Sequence, residues 1–452
     1  MMRAKLCVSA FVLFTLGAGL FAQDVQDTAA ASLTLDQAVA RAVANQPLIL
    51  QAQAAVEAAR ARVGQAQSTY FPSVSASGTY TRLEPDQSIS LPIPGLPPGT
   101  SFSFVPIDNW DFNVGLRQVI YQFGRRGVQV ELAENGVSAA RIGVDQIRTS
   151  IAFQAAQGFH TVLFLQGEIK ALNEQLQNLQ EHLRGTQVKE QTGSATRYDV
   201  LSTGVRISVQ QSQLIDAENQ YQKQSIALKQ LLGMDESADL RLNGGFTPGS
   251  DDRPGAQAQV AAAMAQRSEV RQAVEAENAA HLNRSLAFTT ALPTISAHAA
   301  MGYKNGIATA SNTDINALVF DWNAGVQVSV PLFSGFLATH ALEEADKRVL
   351  AARENTAAVR RTITTQVLQA LQDADAGRQQ VQSAESQLDQ ASEMLHVVKL
   401  QYDLGMLTNL EYLDAQAALE RAQLGSLQAQ YRAVLSELAV KQAVGADIGQ
   451  TK

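Results

Sequence analysis

Four segments of about ten residues alternate strictly between apolar and polar positions. In Ser73–Leu83, Val74, Ala76, Gly78 and Tyr80 interleave with Ser73, Ser75, Ser77, Thr79 and Thr81. In Trp110–Ile120, Trp110, Phe112, Val114 and Leu116 interleave with Asp111, Asn113 and Arg117. Thr294–Tyr303 sets Ile295, Ala297, Ala299, Met301 and Tyr303 against Thr294, Ser296 and His298. Trp322–Leu332 sets Trp322, Ala324, Val326, Val328, Val330 and Leu332 against Asn323, Gln327 and Ser329. A period of two with one apolar face predicts strands, and about ten residues is the length of a tilted membrane-crossing strand. Aromatic residues gather at both ends: Tyr80, Trp110, Phe112, Tyr303 and Trp322 toward the loops, and Tyr70, Phe71, Tyr121, Phe123 and Phe333 at the other side. Two aromatic girdles around an apolar band fit a membrane barrel better than a half-buried soluble sheet.

Between these strands the period changes to that of helices. Helices of about 35 residues are predicted over Thr34–Tyr70 and Gly255–Ala291, and over Arg197–Leu232 and Asn409–Val444. Helices of about 70 residues are predicted over Gly124–Gln191 and Ser334–Asp403. Val162, Ile169, Leu176 and Leu183 recur every seven residues, interleaved with Leu165, Leu172 and Leu179. A second heptad register runs through Val367, Ala374, Val381, Leu388, Leu395 and Tyr402, with the row Ala370, Gly377, Ala384, Ala391 and Val398 beside it. This is left-handed coiled-coil packing, and the small-residue row brings helices close. At 1.5 Å per residue the long helix spans about 100 Å, and two short helices end to end match it.

The order of elements occurs twice. Asn45 to Ala76 matches Gln266 to Ala297 without a gap, Pro72 falling on Pro293. Gly193 to Gly233 and Gly405 to Gly445 have the same length. The expected division is a first repeat over 23–233, a linker over 234–254, a second repeat over 255–445 and a tail over 446–452. Four strands are too few to close a membrane barrel, and an open sheet leaves unpaired backbone in lipid, so several chains must share one barrel. The 26 residues from Glu84 to Asn109 carry Pro85, Pro92, Pro94, Pro97, Pro98 and Pro106, which exclude a helix or a central strand there.

Composition narrows the setting. Arg3 and Lys5 precede the apolar run Leu6–Leu16, and small residues follow, so residues 1–22 are expected to be a signal peptide. The one cysteine, Cys7, lies in that segment. Beyond it stand 33 basic and 43 acidic residues, a formal charge of −10, which argues against nucleic acid as a partner. His160, His182, His281, His298, His340 and His396 are dispersed, and no nucleophile, phosphate-loop or metal-ligand motif is present. No enzyme activity, cofactor or metal is expected. A soluble periplasmic coiled-coil scaffold or adaptor would share the helices but not the alternating strands.

The motifs that join these elements are Asn45-Gln46-Pro47, Phe71-Pro72 and Val330-Pro331-Leu332-Phe333-Ser334-Gly335. Two turns complete them, Gly193-Ser194-Ala195-Thr196-Arg197-Tyr198-Asp199-Val200-Leu201 and Gly405-Met406-Leu407-Thr408-Asn409-Leu410-Glu411-Tyr412-Leu413. In order and spacing the chain resembles the TolC family of outer-membrane efflux channels over nearly its whole length. The resemblance implies a mainly helical fold with a small β part. In a homotrimer it would form a 12-stranded barrel in outer-membrane lipid and a helical tunnel in the periplasm. It implies a passive exit duct for efflux or type I secretion, working with a periplasmic adaptor protein and an inner-membrane transporter.

It also implies that the turns at Gly193 and Gly405 are the periplasmic tips, where the adaptor docks and the tunnel closes. Glu411 and Asp414 match the acidic constriction ring, Tyr402 the tip tyrosine that holds the closed state, and Asp199 its acidic partner. Leu407 stands where the best-known member has a basic residue, and Tyr198 where it has a small hydroxyl residue. The closing salt bridge is therefore not carried over, and Arg197 is an alternative cation for it.

Overall fold

The computed structural model describes residues 32–84, 88–90, 94–95, 97, 101–103, 105–246, 253–307 and 314–448. The expected signal peptide, the last residues of the tail and several of the loop prolines lie outside them. Eight helices account for most of the described chain: α1 (Leu35–Asn45), α2 (Pro47–Gln67), α3 (Arg125–Gln191), α4 (Arg197–Leu232), α5 (Ala256–Gln266), α6 (Ser268–Thr289), α7 (Leu337–Asp403) and α8 (Asn409–Val444). Four strands, β1 (Ser73–Arg82), β4 (Asp108–Tyr121), β5 (Thr294–Lys304) and β6 (Val319–Ser329), form one antiparallel sheet in the order β1-β4-β5-β6. The loop between β1 and β4 holds a small separate hairpin, β2 (Ser88–Ser90) with β3 (Ser101–Ser103).

Each long helix is the spine of one half. α4 packs along one part of α3 and the pair α1–α2 along the rest; α8 and α5–α6 do the same on α7. The heptads carry this packing, with Leu165, Leu172 and Leu179 buried on α3 and Val367, Ala370, Ala374, Val381 and Ala391 buried on α7. A Cβ at Gly377 would stand 3.2 Å from the Cα of Ala433, so the small-residue row does bring α7 and α8 together. The main core lies at the waist, where Ala155, Ala156, Phe159 and Val162 of α3 meet α1, the end of α4, Leu240 and Ile448. There Leu33 and Leu242 form a parallel bridge that ties the chain between α4 and α5 to the start of α1.

The predicted 35-residue first helices are corrected to two helices each. Gln46, preceding Pro47, takes an extended conformation, as the residue before proline must. Arg267 does the same without a proline. Both breaks are held from outside. Asn45 Nδ2 and Gln46 Nε2 donate to the carbonyls of Leu232 (3.3 Å) and Leu231 (3.0 Å), at the end of α4. Arg267 Nη1 donates to the carbonyls of Gln442 and Ala443, both at 3.2 Å, at the end of α8. Each kink thus supplies partners to carbonyls that a helix end leaves open.

The strands keep one register across the sheet, broken only by a shift between Val119 and Tyr121 of β4. Tyr80, Gly78, Ala76 and Val74 lie opposite Trp110, Phe112, Val114 and Leu116, and Phe112, Val114 and Leu116 lie opposite Tyr303, Met301 and Ala299. Ile295, Ala297, Ala299, Met301 and Tyr303 then oppose Val328, Val326, Ala324, Trp322 and Phe320. The last strand is displaced from its predicted bounds by three residues: it begins at Val319 and stops at Ser329, short of Pro331. All four strands therefore present one continuous apolar face, and no other part of the described chain covers it; Trp322 is 68% and Val74 66% exposed. No described helix is long and apolar enough to cross a membrane.

Two residue-level consequences are testable. A Cβ at Gly302 would meet the Phe112 carbonyl oxygen at 2.0 Å and the Asn113 Cα at 2.7 Å, so Gly302→Ala must push β5 off β4. The two tryptophans of the chain, Trp110 and Trp322, both lie in the sheet. The variant is expected to lose about 2 kcal/mol or more, seen as a smaller blue shift of tryptophan emission on folding into vesicles. At the waist, burial and then the nearby Lys441 hold His160 at about 4, with its Nδ1 buried and unpartnered. The folded state binds fewer protons than the unfolded one between about pH 4 and 6.5, so stability rises with pH in that window. Acidification from neutral pH to about 4.5 is expected to cost on the order of 2–3 kcal/mol, read from denaturation midpoints and abolished in His160→Phe.

Candidate functional site: the paired helical tips

The end of the rods away from the sheet consists of two tight turns built alike. Gly193 and Gly405 adopt left-handed conformations (φ 78° and 75°) where α3 and α7 stop. The next amides, Ser194 and Met406, reach back to the carbonyls of Lys189 (2.8 Å) and Gln401 (2.9 Å). This is a Schellman-type stop, which favours glycine because a Cβ is strained there. Each following helix starts on a reciprocal cap: Thr196 with Asp199, and Thr408 with Glu411. Asp199 Oδ2 accepts from the Thr196 amide and hydroxyl, both at 2.8 Å. Glu411 Oε2 accepts from the Thr408 amide at 2.7 Å and its hydroxyl at 2.8 Å. Threonine with an acid three residues on is the capping-box signature, and it places both acids in a first helical turn, where the dipole favours them.

The two acids stay three residues apart on α8 but take different partners. Glu411 is held by its own cap, and the hydrogen bond from the Thr408 amide keeps its carboxyl below the usual range, hence charged. Asp414 Oδ1 instead accepts from Arg206 Nη2 of α4 at 2.9 Å. Arg197 lies 3.7 Å from Glu190, within its own hairpin. Leu407 is half-buried, between Met406 and Thr408 of the second turn. Tyr402 stacks on Tyr412 at 5.1 Å and lies 5.5 Å from the His182 ring, with Lys189 Nζ 4.0 Å above its ring. Within one chain, no described hydrogen bond joins Tyr402 to Asp199.

Tyr402 and Tyr412 belong to a cluster that sequence reasoning missed. His182 of α3 stacks on Tyr412 of α8 at 4.3 Å, and its Nε2 is 2.7 Å from Asn409 Oδ1. Asn409 is buried and donates through Nδ2 to the Asp199 carbonyl (3.3 Å) and the Thr203 hydroxyl (3.4 Å). With Nδ2 donating, Oδ1 is the acceptor, so His182 carries a proton on Nε2. Burial holds this imidazole below the ordinary histidine range, opposed by the Asn409 hydrogen bond. His182–Asn409, Lys189–Tyr402 and Arg206–Asp414 all join the first hairpin to the second. The available signal was Asn409 itself: it occupies the position of Arg197 in the first tip, yet buries an amide beside the polar pair His182 and Thr186 on the inner stripe of α3.

No described group of histidine, cysteine, aspartate or glutamate could hold a metal ion. A groove at the tip is apolar, lined by Leu183, Leu201, Val205 and Val209 together with Gly204 and Ser208.

Asn409→Ala is expected to leave His182 Nε2, the Asp199 carbonyl and the Thr203 hydroxyl without this partner, at a cost of about 1–3 kcal/mol to the join. Hydrogen exchange around residues 402–412 should quicken by about fivefold to a hundredfold, while the waist around Phe159 stays protected.

Comparison with known proteins agrees with this architecture. A family model described as outer membrane efflux protein matches residues 38–234 and 259–446. The outer membrane protein TolC of Vibrio cholerae is 22% identical over 401 residues, 89% of this chain and 88% of that protein. The outer membrane efflux protein BepC of Brucella suis is 24% identical, over 92% of this chain and 86% of its own. The alkaline protease secretion protein AprF of Pseudomonas aeruginosa is 24% identical over 64% of this chain and 60% of its own. Among solved structures, the CmeC outer membrane channel of Campylobacter jejuni superposes with a TM-score of 0.76 at 18% identity, covering 98% of this chain and 94% of its own. The outer membrane protein VceC of Vibrio cholerae gives 0.74 at 20% identity, over 92% and 96%. With both repeats matched by the family model, the chain belongs to the outer membrane efflux protein family.

Proposed function

We propose that three copies of this outer-membrane chain close one 12-stranded barrel and one helical tunnel, forming the exit duct of a tripartite efflux or type I secretion assembly. The observation that carries this is the sheet. Its edge strands β1 and β6 have no described partner on their outer sides, and its apolar face is uncovered. In lipid such a sheet is tolerable only when each β1 pairs with the β6 of a neighbour. A soluble scaffold would have no use for that face. The duct is passive, and energy and cargo selection belong to an inner-membrane transporter reached through a periplasmic adaptor.

In this reading the tips are the gate. Glu411, charged and free of any described cationic partner, supplies the acidic constriction and favours cations there. Asp414 acts first as a latch to Arg206, and together with His182–Asn409 it keeps the second hairpin against the first. Opening the duct requires these joins to break. The adaptor docks around the turns at Gly193 and Gly405, where Tyr198, Leu201, Leu404 and Met406 are exposed.

The test is made on purified chain. It is expected to migrate as a trimer that dissociates only on heating, and recovery as a soluble periplasmic monomer would overturn the reading. In planar bilayers, Glu411→Gln is expected to lower the preference for cations about twofold or more, and Arg206→Ala to raise the open fraction.

A further inference from the structure

The polar face of the sheet carries a charge pattern that the tip does not explain. Its acids, Asp111 and Asp321, stand at the loop end, where Lys304 Nζ lies 2.6 Å from Asp321 Oδ2. Six residues further along β4, about 20 Å at the rise of a strand, comes Arg117. Ser73 lies opposite it on one side and His298 on the other. The His298 ring lies against the next strand, its Cε1 and Nε2 only 3.0 and 3.2 Å from where a Cβ of Gly325 would be. Only a glycine at 325 leaves the imidazole room there. The other polar-face positions near this level are neutral: Ser75, Ser296, Gln327 and Ser329. Among the described residues no carboxylate lies within ion-pair distance of Arg117, which is exposed.

An unpaired guanidinium on the wall of a wet barrel is a fixed positive charge, and low-dielectric walls concentrate its field on whatever passes. We propose that Arg117, with His298 beside it, forms a positively charged belt at the junction of barrel and tunnel that favours anionic solutes over cationic ones. This rests on the reading that three polar faces line a shared duct. Three copies bring three arginines to one level. The duct then opposes an acidic tip to a basic belt, so solutes of either sign meet one favourable and one unfavourable station.

The full-length trimer can report the local potential directly, independently of the tip. A cysteine is placed at Ser75, which pairs with Gly115 and so lies diagonal to Arg117 on the same face. In cells or vesicles at low salt it is treated from the outer side with an anionic sulfonate thiol reagent or a cationic trimethylammonium one. The ratio of anionic to cationic reaction rates is expected to fall about fivefold on Arg117→Gln and to recover on Arg117→Lys. A reactive cysteine whose ratio is unmoved by Arg117→Gln overturns the belt and leaves the duct standing. A Ser75 cysteine that neither reagent reaches overturns the wet polar face, and the belt with it. Salt gives a second measurement that needs no change at Arg117. Raising it from about 10 mM to about 1 M must bring the ratio to that of a free thiol, and a ratio indifferent to salt overturns the proposal.

Discussion

Hydrocarbon offers no hydrogen bonds, and that single fact governs this chain. Every amide and carbonyl of a strand in lipid must find another strand, and the sheet of one chain ends on two edges that have none. Closure must come from outside the molecule. Once several chains share a barrel, the helices that continue its strands are forced into a ring as well. A ring tolerates no short staves, which accounts for the pairing of one long helix with three shorter ones set end to end in each half.

The waist and the tips solve different problems within that frame. At the waist, cores need depth, and the kinks at Gln46 and Arg267 let α1 and α5 turn without leaving the ends of α4 and α8 uncapped. Arg253, Arg378 and Glu437 form a half-buried ionic group there that ties the chain before α5 to α7 and α8. Breaking such a group exposes a desolvated charge, so it specifies one arrangement more than it adds stability. At the tips the joins between hairpins are few, polar and aromatic. A small number of weak links at the end of a long lever fits the proposed gate, because local opening there need not disturb the waist.

Most of the architecture was legible in the sequence. Periods of two and of three and a half locate strands and spines within a few residues, because both patterns are imposed by burial along a whole element. Features that depend on a partner elsewhere were not. The break at Arg267 has no proline to announce it and exists because a guanidinium reaches the end of α8. β6 ends early because Pro331 cannot join a ladder, a local signal outweighed by the apolar run to Leu332. At the tip, spacing placed Glu411 and Asp414 on one face. The capping box that occupies Glu411 was also written in Thr408 and its third neighbour, while the Arg206 that occupies Asp414 lies some two hundred residues away.

The duplicated halves keep step with unusual strictness. α3 and α7 both have 67 residues, α4 and α8 both 36, and α1 and α5 both 11. The offset between halves is 221 from α1 to β1 and 212 from α3 onward, so nine residues vanish between the first strand of each half and its long helix. That difference lies in the loop beyond the sheet. An added residue in a spine would turn everything below it by about 100° and lower one tip by about 1.5 Å relative to its twin. A loop outside the staves has no twin to match. The molecule is thus a gauge at one end and free text at the other: its length through the envelope is copied, and its outward face is left to be rewritten.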